Sequence, residues 1–234
     1  MIIVPTYNER SNIRPLVERI RRAVGDVPIL FVDDNSPDGT QAEIAATQKT
    51  DAHIYLLARP KKQGLGAAYR AAFERLRRCP GIEFVITMDA DVSHNPSELS
   101  GLLELIKLHP VVVGSRYVGG GKIINWNLLR RVVSKFGNVY AKFLTATPVS
   151  DLTSGYVAYQ TGWLTRVPFH NIQAEGYAFQ IEVKHRLHVL GANIYEHPIV
   201  FTEREGGRSK FSTAIILEGM WFPIKIYFAR LCGR

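Results

Sequence analysis

Two carboxylates one residue apart, in Asp89-Ala90-Asp91, follow a near-continuous apolar run at residues 82–88. Alternate residues of an extended segment point the same way, so the pair converges just beyond the last buried strand residue. Left alone, two close carboxylates repel and a pKa rises. A hard divalent cation relieves that repulsion and can bridge the phosphate oxygens of a bound ligand. The ion such a site takes is Mg2+ or Mn2+, held by few protein ligands and completed by phosphate and water. A second reading of the triplet is a solvated turn leading into a helix cap, since Asn95-Pro96 follows, and short motifs match often by chance. The position after a buried strand favours the metal.

The first half of the chain supplies a scaffold of alternating strands and helices. Residues 2–4 form a short buried strand. Ile13, Leu16, Val17, Ile20 and Val24 then mark one helical face, with Asn12 as N-cap and Pro15 tolerated in the first turn. Residues 28–34 read as the second strand and residues 35–39 as a turn. After a short helix come a strand at 53–57 and a basic, glycine-containing loop at 59–66 that opens a helix to about Arg77. The apolar run at 82–88 is a strand ending in Asp89. A helix follows from Pro96, with Leu99, Leu102, Leu103 and Ile106 on one face, and then a strand at 111–113. Strands apolar on both faces and alternating with helices imply a parallel sheet covered on both sides. In such sheets the binding crevice lies outside the carboxyl ends of the strands. Three strands end in polar residues there: Pro5-Thr6-Tyr7-Asn8-Glu9, Asp33-Asp34 and Asp89-Ala90-Asp91. The second half is less regular, with helices at 126–145, 177–190 and 215–231 and strands at 154–160 and 192–201. No repeat, low-complexity tract or linker interrupts it, so residues 1–234 read as one domain.

Composition fits a globular chain of 234 residues, 46% hydrophobic and 21% charged. Its 29 Lys and Arg against 21 Asp and Glu leave +8, which suits an anionic partner. Cys79 and Cys232 lack CxxC spacing, so neither a disulfide framework nor a thiolate metal site is implied. The cytoplasmic face of a membrane is the natural compartment. No signal peptide is expected at Met1, and the most apolar stretch, 214–231, is broken by Glu218, Lys225 and Arg230 and does not read as a transmembrane span. Residues 213–234 read instead as an amphipathic helix, lying either in a membrane interface or against the core.

The chain resembles family 2 glycosyltransferases of the GT-A fold, and within them the dolichol-phosphate (polyprenol-phosphate) mannose synthases. The resemblance is carried by Val4-Pro5-Thr6-Tyr7-Asn8-Glu9, Val32-Asp33-Asp34-Asn35-Ser36-Pro37-Asp38-Gly39-Thr40, Gly64-Leu65-Gly66-Ala67-Ala68-Tyr69, Met88-Asp89-Ala90-Asp91, Gly114-Ser115-Arg116-Tyr117, Asp151-Leu152-Thr153-Ser154-Gly155 and the stretch from Arg204 to Lys210. Each is weak alone; their order over more than 200 residues is specific. The resemblance implies a GT-A (Rossmann-like), mainly parallel sheet with helices on both faces. It implies transfer of mannose from GDP-mannose to a polyprenyl or dolichyl phosphate, with inversion and a Mg2+ or Mn2+ ion. Pro5, Tyr7, Glu9, Val32 and Asp34 would hold the donor base and ribose. Asp89 would contact donor and metal, Ala90 would pack on the nucleotide, and Asp91 would be the main metal ligand. Many relatives carry Gln two residues later as a further ligand; here Ser93 stands there, a weaker donor whose place water can take. Arg116, Arg204 and Lys210 would bind the anionic side of the reaction. Arg130, Arg131 and Ser134 are candidates for the lipid phosphate, although a solvated helix face explains the two arginines equally well. Membrane segments that follow this domain in some relatives would here be absent, removed, or supplied by a membrane-anchoring partner subunit.

A phosphomonoester acceptor is mostly dianionic at neutral pH and already nucleophilic, its second pKa being about 6. No essential general base is therefore expected, with Asp151 and Glu175 the residues that would contradict this. Within the enzyme class the rival donors are UDP-glucose and UDP-N-acetylhexosamine; outside it, the rival is a module that binds a nucleotide-sugar or lipid head group without turnover. A dinucleotide fingerprint fails because Tyr69 stands where a third glycine belongs. A P-loop fails because Ile123 follows Gly121-Lys122. The placed basic residues lie among acidic strand ends rather than on a stripe with stacking aromatics, so no nucleic-acid partner is expected.

Overall fold

Apolar residues at successive positions, as in Ile2-Ile3-Val4 and Val111-Val112-Val113, can be stable only where both faces of a strand are covered. The computed structural model, which describes residues 1–79, 81–203 and 213–232 (side chains of 213–217 excepted), shows that covering. The order is β1 (Ile2–Thr6), α1 (Ile13–Val24), β2 (Ile29–Asp33), α2 (Thr40–Gln48), β3 (Ile54–Ala58), α3 (Leu65–Leu76), β4 (Phe84–Thr87), α4 (Leu99–Leu105), β5 (Val111–Ser115), β6 (Lys122–Ile124), α5 (Leu128–Thr145), β7 (Val157–Gln160), α6 (Thr161–Leu164), α7 (Gly176–Val189), β8 (Ile194–Pro198), β9 (Val200–Thr202) and α8 (Thr213–Leu231).

Seven strands form one sheet in the order β3-β2-β1-β4-β7-β5-β8. All neighbours are parallel except β7, which runs antiparallel to both β4 and β5. Strand period 2 sorts the side chains into two cores. Ile3, Leu30, Val32, Val111 and Val113 point to the face covered by α3 and α7. Ile2, Val4, Ile29, Phe31 and Val112 point to the face covered by α1 and α4. The mainly parallel sheet with helices on both faces is the architecture expected from the sequence.

Two details differ from expectation. Asn12 does not cap α1: its side-chain amide donates to Glu9 Oε2 at 2.7 Å, and a short 3-10 turn, Arg10–Asn12, precedes the helix. The expected strand at 192–201 is two strands, because the chain leaves β5 after Pro198 and pairs β9 with β6 in a separate two-stranded ribbon. Among the described residues no helix is long and apolar enough to cross a membrane.

Candidate active site

β1, β2 and β4 are parallel and adjacent, so the segments after Thr6, Asp33 and Thr87 emerge on one edge. The three polar strand ends singled out in the sequence do share that edge. β7 runs the other way, so the segment that precedes it, residues 151–156, arrives at the same edge.

Asp89 and Asp91 lie in a turn that the rest of the chain holds firmly. The Asp89 amide donates to His94 Nδ1 at 2.9 Å, so that nitrogen carries no proton. Burial pushes the His94 pKa down, against the attraction of Asp89 and Asp91, and the ring is neutral. It stacks on Tyr156, with centroids 4.8 Å apart, and meets Phe201 edge-on at 5.6 Å. Asp91 Oδ1 accepts from the Ser93 amide (3.1 Å) and the Ser93 hydroxyl (2.6 Å). Ser93 therefore steadies Asp91. Between them Val92 has φ +62°, a left-handed conformation that a β-branched residue adopts only when its surroundings impose it. The strand β9 seals this turn: the Thr202 amide donates to Ser93 O, and His94 bridges Phe201. Two carboxylates and a hydroxyl are hard oxygen donors that fit Mg2+ or Mn2+. Among the described residues no group of three or more His, Cys, Asp or Glu gathers to cage an ion; an ion held by Asp89 and Asp91 would need a ligand's phosphate and water to complete its shell.

At the first strand end Lys62 Nζ lies 3.8 Å above the Tyr7 ring. Glu9 is buried and Pro5 half-buried in β1. Asp34 is engaged by Arg59 and by the amides of Gln63 (2.9 Å) and Gly64 (2.7 Å), so it fixes the basic loop that opens α3. Val32 and Ala90, expected to touch the donor, are core residues at 0% and 3% exposure. Their side chains are packed in the core. In a strand every second residue belongs to one core, and Val32 falls on the α3–α7 side.

Arg116 is buried and held by Asp151 through two parallel bonds, Nε to Oδ2 at 2.7 Å and Nη2 to Oδ1 at 2.6 Å. Its amide also donates to Asp151 Oδ2, and Nη2 donates to Thr153 at 2.8 Å. Burial alone would raise the Asp151 pKa, but the adjoining guanidinium outweighs it and holds the carboxyl below its usual value. Burial likewise favours a neutral Arg116, and Asp151 overrides it. Trp126, Phe201 and Tyr117 surround the guanidinium at 5.4–5.5 Å. Glu175, the other base candidate, accepts from Arg70 (2.5 Å) and the Ala67 amide (3.2 Å) at the start of α3. Arg130 lies over Trp126 at 4.1 Å and pairs with Glu203. Arg131 donates to Ile123 O at 2.8 Å, and Ser134 accepts from Tyr117 at 2.6 Å. These three sit on α5, where Arg130 shares the Trp126 ring with Arg116. Arg204 and Lys210 lie outside the described residues.

The sequence reading missed His94, Trp126 and Lys184. The buried Lys184 ammonium donates to the carbonyls of Leu152 (3.0 Å) and Ser154 (2.7 Å), fixing the segment that presents Asp151. His94 alone left a signal, lying three residues after Asp91.

A family model described as glycosyl transferase family 2 matches residues 1–167. The polyprenol monophosphomannose synthase of Mycolicibacterium smegmatis is 43% identical over 226 residues, 94% of this chain and 84% of that protein. The undecaprenyl-phosphate mannosyltransferase of Micrococcus luteus is 39% identical over 221 residues, 94% of this chain and 90% of that one. Among solved structures, glucosyl-3-phosphoglycerate synthase from Mycobacterium tuberculosis, in complex with Mn2+, UDP and glucosyl-3-phosphoglycerate, superposes with a TM-score of 0.66. That match covers 99% of this chain and 79% of the other at 17% identity, a likeness of fold. The architecture, the family model and two relatives near 40% identity over almost the whole chain agree: this protein belongs to glycosyltransferase family 2.

Proposed function

We propose that the protein transfers mannose from GDP-mannose to a polyprenyl (dolichyl) phosphate, with inversion and with a divalent metal, at the cytoplasmic face of a membrane. The observation that carries the reading is the surface beside the strand-end carboxylates. There α5 starts next to Trp126 and exposes large apolar side chains, with Leu128 at 76%, Phe136 at 71% and Phe143 at 77%. The same helix carries Arg130, Arg131, Lys135 and Lys142 and no acidic residue. α8 packs along it, with the Tyr140 hydroxyl donating to Met220 O at 2.9 Å, and adds exposed Trp221 and Phe228. An apolar face rimmed by cations suits a bilayer with anionic head groups, where a lipid-linked acceptor resides. The two relatives named for polyprenol and undecaprenyl phosphate support the same acceptor class.

In the proposed reaction an acceptor phosphate oxygen attacks C1 of mannose. The bond from C1 to the GDP oxygen breaks, and GDP leaves with the electron pair. Asp89 and Asp91, with Ser93 behind Asp91, would hold the Mg2+ or Mn2+ ion, which stabilises charge on the departing diphosphate. Pro5, Tyr7, Glu9 and Asp34 take the nucleoside side, and Arg204 and Lys210 the diphosphate. Arg116 faces the reacting phosphates, its orientation fixed by Asp151. Arg130, Arg131 and Ser134 take the acceptor phosphate. The engagement of Asp151 by Arg116 and of Glu175 by Arg70 supports a reaction without an essential base.

The test is transfer of radiolabelled mannose from GDP-mannose to a short polyprenyl phosphate in detergent. Label in the lipid phase is expected with Mg2+ or Mn2+ and not with EDTA. Asp91→Ala should lower turnover by about 100-fold or more, the scale of losing a major electrostatic contribution. Label appearing from UDP-glucose instead would overturn the donor assignment.

A further inference from the structure

The acceptor side of the site already holds an anion that the proposed reaction does not use. Glu203 follows β9 directly, and its carboxylate pairs with Arg130. Its amide donates to Ile124 O at 3.2 Å, which anchors it beside β6. The Arg130 guanidinium is set against the Trp126 ring at 4.1 Å, and Trp126 meets Phe201 of β9 edge-on at 5.4 Å. Arg130 is thus oriented by an aromatic plane while a carboxylate occupies it. The two side chains are 29% and 36% exposed. Ion pairs this exposed are weak and exchange readily.

We infer that Glu203 is a specificity-determining residue, a resident monoanion on Arg130 that a phosphomonoester displaces and a phosphodiester does not. The inference rests on the polyprenyl-phosphate reading above. A bilayer docked on α5 would bring Arg130 among head groups that are mostly phosphodiesters, each with one negative charge. Without the Glu203 charge that guanidinium would attract those lipids more strongly. With Glu203 in place, a diester replaces one monoanion by another and gains nothing in charge. A terminal monoester carries nearly two charges at neutral pH and more oxygens for the planar guanidinium fork. Displaced Glu203 is already partly in water, so its release costs little. Specificity is a difference of affinities, and lowering the gain from the wrong ligand serves it as well as favouring the right one.

The variant to make is Glu203→Gln in the full chain, which keeps the shape and removes the charge. Mannosyl transfer would be followed in mixed micelles of a short polyprenyl phosphate, with increasing phosphatidylglycerol as the diester. For Glu203→Gln the acceptor KM should fall about 2- to 5-fold, the range of an exposed ion pair. Phosphatidylglycerol should inhibit that variant at a several-fold lower mole fraction than it inhibits the wild type. The GDP-mannose KM should stay unchanged, which a general loss of structure would not allow. Equal inhibition of both proteins with an unchanged or raised acceptor KM would overturn the role of Glu203 while leaving the acceptor assignment intact. Wild type that labels no lipid with any acceptor would overturn that assignment and this inference together.

Discussion

Lys184 has no exposed surface, and it donates to the carbonyls of Leu152 and Ser154 at 3.0 and 2.7 Å. Burial lowers its pKa to about 7 from the usual value of 10.5, despite the attraction of Asp151. Between those values the unfolded chain binds a proton that the native protein has released, so stability rises with pH across that window. Below pH 7 the full cost of the buried charge is present. Urea unfolding of wild type and Lys184→Met should therefore show the difference, wild type minus variant, growing in favour of wild type from pH 6.5 to 9.5. The slope would be at most about 1.4 kcal/mol per pH unit; a flat difference would show that the native lysine keeps its proton across this range, with a pKa close to its usual value. Single residues were legible in the sequence where a motif named them, as with Asp89 and Asp91. Pairings were not. Arg116 and Asp151 lie 35 residues apart, and no local pattern announces that one carboxylate commits the other residue's guanidinium. The same blindness hid Arg59 behind Asp34, a pairing that fixes the basic loop before α3.

α3 and the segment before α7 approach so closely at Gly66 that a side chain has no room. A Cβ there would lie 2.6 Å from Ala174 O and 2.8 Å from Glu175 Oε2. Gly66→Ala should therefore destabilise by about 1–3 kcal/mol, the usual cost of overpacking. Gly137, inside α5, meets nothing within 4 Å, and Gly137→Ala should stabilise by about 0.5–1 kcal/mol through helix propensity. Chemical denaturation of both variants checks the contrast, which comes from packing rather than from glycine as such. Periodicity revealed the long elements well: the five apolar positions of the first helix fall inside α1, and the apolar strands sit in the sheet. It could not reveal β6 and β9, which have three residues each. Three residues hold no countable period, and only their pairing with each other makes them strands.

The exposed apolar face is a property of the whole molecule, since α5 and α8 come from distant parts of the chain and meet side by side. Replacing Phe136 and Phe143 together by Glu should weaken binding to anionic vesicles by about 10-fold or more, given the free energy of burying one large apolar side chain. Donor binding in solution should not change; vesicle sedimentation and a nucleotide titration separate the two. Sequence favoured 213–234 for this face, and α5 shares it; the sequence showed residues 126–145 only as a helix, and its exposed apolar side is visible only in the fold. The reversed strand β7 has a consequence for assembly during synthesis. Among the described residues it is the only strand that links the block β3-β2-β1-β4 to the pair β5-β8. The first block is complete once residue 87 has emerged. β5 emerges with no partner, because both of its neighbours, β7 and β8, lie later in the chain. At roughly 5–20 residues per second, a bare β4 edge and an orphan apolar strand wait several seconds at the ribosome for Val157–Gln160 to join them. That interval, rather than the finished fold, is when this chain is most exposed to aggregation and most in need of a chaperone.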